Sequence, residues 1–367
     1  MNYFKCLNIL LVFVLLPIVL KGQEQDKSIF NIGVSTHYGF IIKHSKKLDN
    51  ISQGYPYGLE ANIQWHLRNQ EVWNYSFCYP RAGFSLLYIN FDNPSQLGYA
   101  IAVPFFVEPF FFIHNKLNFS SRFGIGPTFN NKVYHEQYNP SNLFLSSHVS
   151  FVVLLNFAIN YRITNQLTSR LILNYNHISN GGIKNPNLGI NFPTLSLGLD
   201  YSFLPNIFRN RVKDGTAIIN PKKDFFTFSV FSAMKSENKV DKKHLVFGGS
   251  ANYSKMVGRI NALTAGLEFV KDNALKFHIE KELIEKGLTR SPGHERVAFL
   301  LGHEFLLGRF TFSQQAGIYL YSPYPARNLV YQRYGLNFNF GKMFMGINVK
   351  AHMDNADFID IRTGIRF

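Results

Sequence analysis

Residues 193–203 read Pro-Thr-Leu-Ser-Leu-Gly-Leu-Asp-Tyr-Ser-Phe, and the reading of this stretch decides the fold. Pro193, Leu195, Leu197, Leu199, Tyr201 and Phe203 occupy every second position; Thr194, Ser196, Gly198, Asp200 and Ser202 fill the places between. Residues two apart on a strand share a face, so the segment is a β-strand with one apolar side and one polar side. Its length suits a strand that crosses an outer membrane at a tilt, about 9–11 residues. One side then meets lipid and the other a polar interior.

The pattern recurs in both directions. Eight such segments run from 28–42 to 193–204 and eight more from 224–235 to 358–367. The last puts Ile359, Ile361, Thr363, Ile365 and the terminal Phe367 on one face, the way outer-membrane barrels end. The expected fold is therefore all-β: a transmembrane antiparallel β-barrel, a duplicated eight-stranded unit that forms either two barrels or one larger barrel. A soluble β-sandwich would alternate in the same way, and the export signal and terminal aromatic strand weigh against it.

Composition agrees. Of 367 residues, 46% are hydrophobic, 17% charged and 16% aromatic, which excludes intrinsic disorder. Beyond residue 21 no run approaches the roughly 20 apolar residues of a membrane helix. The 38 Lys and Arg against 23 Asp and Glu give a formal net charge of +15. The basic residues are scattered among Phe-rich segments, a distribution that suits an anionic lipid surface and not nucleic acid. Residues 1–22 read as a secretory signal peptide, with Lys5 before an apolar run from Leu7 to Leu20. Cys6 lies in that leader, leaving Cys78 without a partner, so neither a disulfide nor a cysteine metal site is expected.

The expected organisation is a first barrel over 23–205, a polar linker over 206–223 and a second barrel-like half over 224–367. Within the second half, Leu275, Ile279 and Leu283 have helical spacing between Asn273 and Gly287 and predict a surface helix in a loop. The halves end alike, with His177-Ile178-Ser179-Asn180 against His352-Met353-Asp354-Asn355, a weak internal repeat in which the second copy lacks the serine. The second half is expected to be a non-catalytic support.

The sharpest chemical signal is Asn176-His177-Ile178-Ser179-Asn180-Gly181-Gly182. His177 and Ser179 share a face with Leu171, Leu173 and Tyr175, so they point outward, near the membrane rim. There the imidazole can take the serine proton as the oxygen attacks an ester carbonyl. The Asn180 amide or the backbone N–H groups of Gly181 and Gly182 could hold the developing oxyanion. On that surface the available ester is a lipid. No metal or cofactor motif is present, and His303-Glu304, adjacent on a strand, face opposite ways.

The run HISNGGIKNPNLGIN over 177–191 resembles the signature of the lipid A 3-O-deacylase (PagL) family, also called acyloxyacyl hydrolases. The resemblance, over roughly residues 28–204, implies an eight-stranded outer-membrane barrel that removes an ester-linked acyl chain from lipid A, a component of lipopolysaccharide. It assigns the nucleophile to Ser179, the base to His177 and the oxyanion role to Asn180. The family's acidic triad member falls on Asn191, a departure, since an amide can orient a histidine but cannot stabilise imidazolium by charge. A Ser–His–Asn set also resembles outer-membrane phospholipase A. The other reading is a non-enzymatic barrel, structural or transporting, descended from the same family.

Overall fold

The computed structural model describes residues 27–43, 48–214, 224–236, 243–287, 292–326, 328–353 and 355–367. The expected leader (1–22), the second part of the expected linker (215–223) and Asp354 lie outside the described residues.

The chain forms two closed antiparallel barrels of eight staves each, not one larger barrel. The first contains β1 (Ile29–Gly39), β2 (Tyr57–His66), β3 (Arg81–Asn90), β4 (Tyr99–Ala102), β5 (Phe105–Glu108), β6 (Phe110–Phe111), β7 (Leu117–Asn130), β8 (Val149–Arg162), β9 (Leu167–Ser179) and β10 (Ile190–Ser202). The short β4, β5 and β6 form one interrupted stave, each pairing with β7. The sequence predicts a single strand over 98–114; Pro104 and Pro109 interrupt it, because proline offers no N–H to the ladder. β10 returns to β1 with Val34 opposite Leu199 and Tyr38 opposite Leu195, closing the barrel. The second barrel contains β11 (Asp224–Ser236), β12 (Lys243–Met256), β13 (Asn261–Asp272), β14 (Glu295–Leu307), β15 (Phe310–Tyr321), β16 (Val330–Phe340), β17 (Met343–His352) and β18 (Asn355–Arg366), with β18 pairing back to β11.

The faces divide as the alternation predicts. Leu195 and Leu197 keep 55% and 66% of their surface exposed, while Ser196 and Asp200 keep 1% and 2%. Inside the first barrel, three carboxylates and three guanidiniums form an alternating chain. Glu60 bonds Arg122 (2.7 Å), Arg122 bonds Glu108 (2.9 Å), Glu108 pairs with Arg170, Arg170 reaches Asp200 (3.2 Å), and Asp200 pairs with Arg81. Each charge faces an opposite one, which is how buried ions survive away from water. The second barrel repeats the device with Glu268 and Asp360 against Arg333, Lys350 and Arg362. The interiors are packed polar cores.

One rim of the first barrel is closed differently. Segments 40–43, 48–56, 91–98 and 131–148 fold into the mouth there, and Ile41, Leu48, Phe91, Phe144 and Leu145 pack on Ile178, Ile190 and Phe192 in a buried apolar cluster. At the opposite rim, α1 (Gln70–Ser76), which the sequence reading missed, presents Trp73 to Tyr79, Phe110, Ile113 and Phe208. Phe208 belongs to the expected linker, whose described part is therefore packed on the barrel, with Tyr79 donating to the Arg209 carbonyl (2.7 Å). The predicted surface helix is α2 (Asn273–Lys286), opened by the Asp272 side chain and ended by Gly287 in the left-handed region at φ 63°. The barrels touch side by side: the rings of Phe123 and Phe312 lie 6.4 Å apart, and Arg259 donates to the Tyr75 carbonyl (2.7 Å).

Glu108 accepts from two buried guanidiniums and from Ser120, so Glu108→Ala should destabilise the first barrel by about 3–5 kcal/mol. The urea midpoint of its folded-to-unfolded mobility shift on cold gels measures this. An unchanged midpoint would contradict the role given to the charge chain.

Candidate active site

β9 and β10 are neighbours in the ladder, and their register sets His177 directly opposite Asn191. Facing residues in an antiparallel pair carry their side chains about 5 Å apart at Cβ, within reach of a hydrogen bond. His177 Nδ1 lies 2.6 Å from Asn191 Oδ1. A carbonyl oxygen only accepts, so Nδ1 carries the proton and Nε2 the lone pair. The Tyr175 hydroxyl, two residues before His177 and on the same outer face, donates to the same Asn191 oxygen at 3.0 Å. Two donors thus hold one amide, and the amide holds the ring.

The inward neighbours make this geometry stiff. Ile178, Ile190 and Phe192, which alternate with the site residues, are buried in the apolar cluster at the rim. Asn176, also inward, bonds the Phe192 carbonyl at 2.9 Å and ties the strands from within. His177, Ser179 and Asn191 are themselves half-buried, at the top of an outer wall that carries exposed Leu171, Leu173, Tyr175, Leu195 and Leu197.

Ser179 ends β9, and the chain beyond it turns back over the hydroxyl. Gly181 N–H donates to Ser179 Oγ at 3.1 Å, and the Asn187 side-chain amide approaches it at 3.5 Å. Gly189, at φ 70°, lies against both His177 and Ser179. A methyl placed on it would lie 2.6 Å from His177 Cε1, 3.2 Å from Nε2 and 3.3 Å from Ser179 Cβ. Only glycine fits beside imidazole and serine here.

Asn180 departs from expectation. As the neighbour of Ser179 it points inward, where its amide donates to Ser146 Oγ (3.0 Å) and the Lys184 carbonyl (2.8 Å). Its side chain faces away from the hydroxyl and cannot hold an oxyanion there; instead its Oδ1 accepts from Gly182 N–H (3.0 Å) and shapes the turn. Gly181 does lie at the hydroxyl. Asn187 and Tyr175 were given no role in the sequence reading. Tyr175 was legible, two places from His177, whereas Asn187 reaches Ser179 only through the path of a loop.

His352 faces into the second barrel, 3.4 Å from the Tyr319 hydroxyl and 3.6 Å from Asp357. The short repeat therefore aligns an outward histidine with an inward one, a likeness of architecture and not of site.

Fold and site together define a membrane-type β-barrel whose lipid-facing wall carries a serine, a histidine and an orienting amide. Residues 54–200 match the family model of lipid A 3-O-deacylase (PagL), and residues 224–367 match that of the acyloxyacyl hydrolase C-terminal domain. The first barrel thus falls with the lipid A 3-O-deacylase (PagL) family and the second with the acyloxyacyl hydrolase C-terminal domain. Among solved structures, the outer membrane enzyme PagL is 16% identical over 45% of this chain and 97% of its own, with a TM-score of 0.34. Neisserial surface protein A is 10% identical over 47% of this chain and 97% of its own, with a TM-score of 0.31. No curated protein matches the chain.

Two substitutions test this geometry. Gly189→Ala should lower turnover in the ester cleavage proposed below by about 100-fold at unchanged folding, because the added methyl crowds both His177 and Ser179. A variant with normal kcat would show that the two do not act together. Asn191→Glu should preserve or raise activity, since a carboxylate beside Nδ1 favours imidazolium. A hundredfold loss of kcat in folded Asn191→Glu would sink the orienting role of that position.

Proposed function

We propose that this protein is an outer-membrane serine esterase that removes an ester-linked acyl chain from lipid A or lipopolysaccharide. The observation that carries the reading is the His177–Asn191 hydrogen bond, on a lipid-facing wall beside a serine whose Oγ meets a backbone N–H. A base with a fixed tautomer, a hydroxyl and a convergent donor are the minimum set for acyl transfer.

In this reading Ser179 Oγ attacks the ester carbonyl as His177 Nε2 takes its proton. The carbonyl oxygen becomes an oxyanion to which the Gly181 N–H and the Asn187 amide, the donors nearest Oγ, turn. Collapse of that intermediate expels the sugar alkoxide, which takes the proton from His177. Water, activated by the same imidazole, then frees the fatty acid from Ser179. Asn191 fixes the ring but brings no charge to the imidazolium, so the base depends on Tyr175 and Asn191 for orientation alone. The leucines below the site offer an acyl chain the same apolar surroundings it has in the bilayer. The net positive charge suits the anionic head of the same lipid.

Mass spectrometry of lipid A from cells with and without the protein tests the reading, with loss of one acyl chain as the expected result. Ser179→Ala should abolish that loss, by about a thousandfold or more in rate, while the barrel inserts normally. Unaltered lipid A in cells that carry the folded wild type would favour the non-enzymatic barrel. Retained deacylation by Ser179→Ala would move the nucleophile elsewhere.

A further inference from the structure

The turn that presents the donor to Ser179 does not stand alone; it rests on the other barrel. Gly181 and Gly182 both occupy the left-handed region, at φ 65° and 84°. A methyl on Gly181 would lie 2.1 Å from Ile359 Cδ1 and 2.4 Å from Cγ1, and one on Gly182 would lie 2.7 Å from the Asp357 carbonyl oxygen. Three residues on, the Asn185 amide reaches the Ser236 carbonyl at the end of β11 (3.5 Å). Ile359 belongs to the outward face of β18 yet is largely covered, whereas Ile361, the next residue on that face, keeps 64% of its surface.

The surface beneath the turn is firmly held. Lys235 bonds Asp357 at 2.6 Å and Asp272 at 2.9 Å, and His352 approaches Asp357 at 3.6 Å, tying the upper ends of β11, β13, β17 and β18 together. A pair of glycines is the most freely moving backbone a chain can offer. An oxyanion donor on such a pair acts only if something outside the turn restrains it, because rate falls steeply with misplacement of a preorganised dipole.

We propose that Ile359 of the second barrel is a positioning residue for the Ser179 site, holding the Gly181–Gly182 turn so that the Gly181 N–H stays on Ser179 Oγ. The two barrels are then one catalytic unit, and the C-terminal barrel serves the chemistry without touching substrate. This inference rests on the esterase reading above.

The test uses the full chain in detergent or bilayer, with turnover on purified lipid A and labelling of Ser179 by a fluorophosphonate, both normalised to protein that migrates as folded on cold gels. Ile359→Ala should lower kcat about tenfold with KM within about twofold. Ile359→Val, which lacks only the Cδ1 against Gly181, should fall between, and labelling rates should follow the same order. Ile361→Ala, on the same face but clear of the turn, should match the wild type. If Ile359→Ala does not fold, Ile359→Val is read against Ile361→Ala. Wild-type kcat in folded Ile359 variants, or an equal loss in Ile361→Ala, would overturn the proposal and leave the esterase reading intact. A wild type that neither deacylates nor labels would sink both.

Discussion

Closure of the backbone ladder is the constraint on which the rest depends. In lipid an unpaired N–H or carbonyl has no water to turn to, so a strand can cross only if both its edges are bonded. The first barrel meets this by pairing β10 to β1, and the second by pairing β18 to β11. Once the ladder closes, every side chain is committed to the wall or to the core. That division places apolar residues against lipid, forces ions into mutual pairs within, and turns His177 and Ser179 outward at the rim.

The core answers that commitment in two ways. Along most of its length the first barrel is filled by the Glu60–Arg122–Glu108–Arg170–Asp200–Arg81 chain, where each ion is neutralised by its neighbours. Near the rim that carries the site the filling becomes apolar, with Phe91, Phe144, Ile178, Ile190 and Phe192 packed together. An apolar cluster packs densely and leaves its side chains little room to move. The site strands are therefore backed by a firm wall, with the His177–Asn191 bond on its outer surface.

An amide in place of a carboxylate alters the balance of the site. Asn191 gives His177 the same tautomer that a carboxylate would, from the position directly opposite it in the ladder. In the proposed mechanism it does not lower the energy of the imidazolium, so a larger share of transition-state stabilisation would fall to the donors around Ser179. One of those donors, the Gly181 N–H, lies on a two-glycine turn that meets Ile359 of the second barrel, so in the proposed mechanism the division of the chain into two barrels bears on chemistry as well as on insertion.

The alternation in 193–203 was enough to assign strand, face and membrane setting, because period-2 patterning is a local property that closure only amplifies. Parity likewise put His177, Ser179 and Asn191 on one outer face before any coordinates, since side-chain direction along a strand depends on position alone. The end of α2 at Gly287 was legible for the same reason. Tertiary structure decided what depends on register and on paths through loops. Whether sixteen strands make one barrel or two turns on which strand closes on which, a pairing between distant segments that no local pattern encodes. That His177 faces Asn191 directly required the β9–β10 register, and the return of Asn187 to Ser179 required the course of residues 180–189. The inward turn of Asn180 followed from parity but was hidden by the resemblance, which names a residue without a direction. The seat of Gly181 on Ile359 joins residues far apart in the chain and on different barrels, and only packing could bring them together.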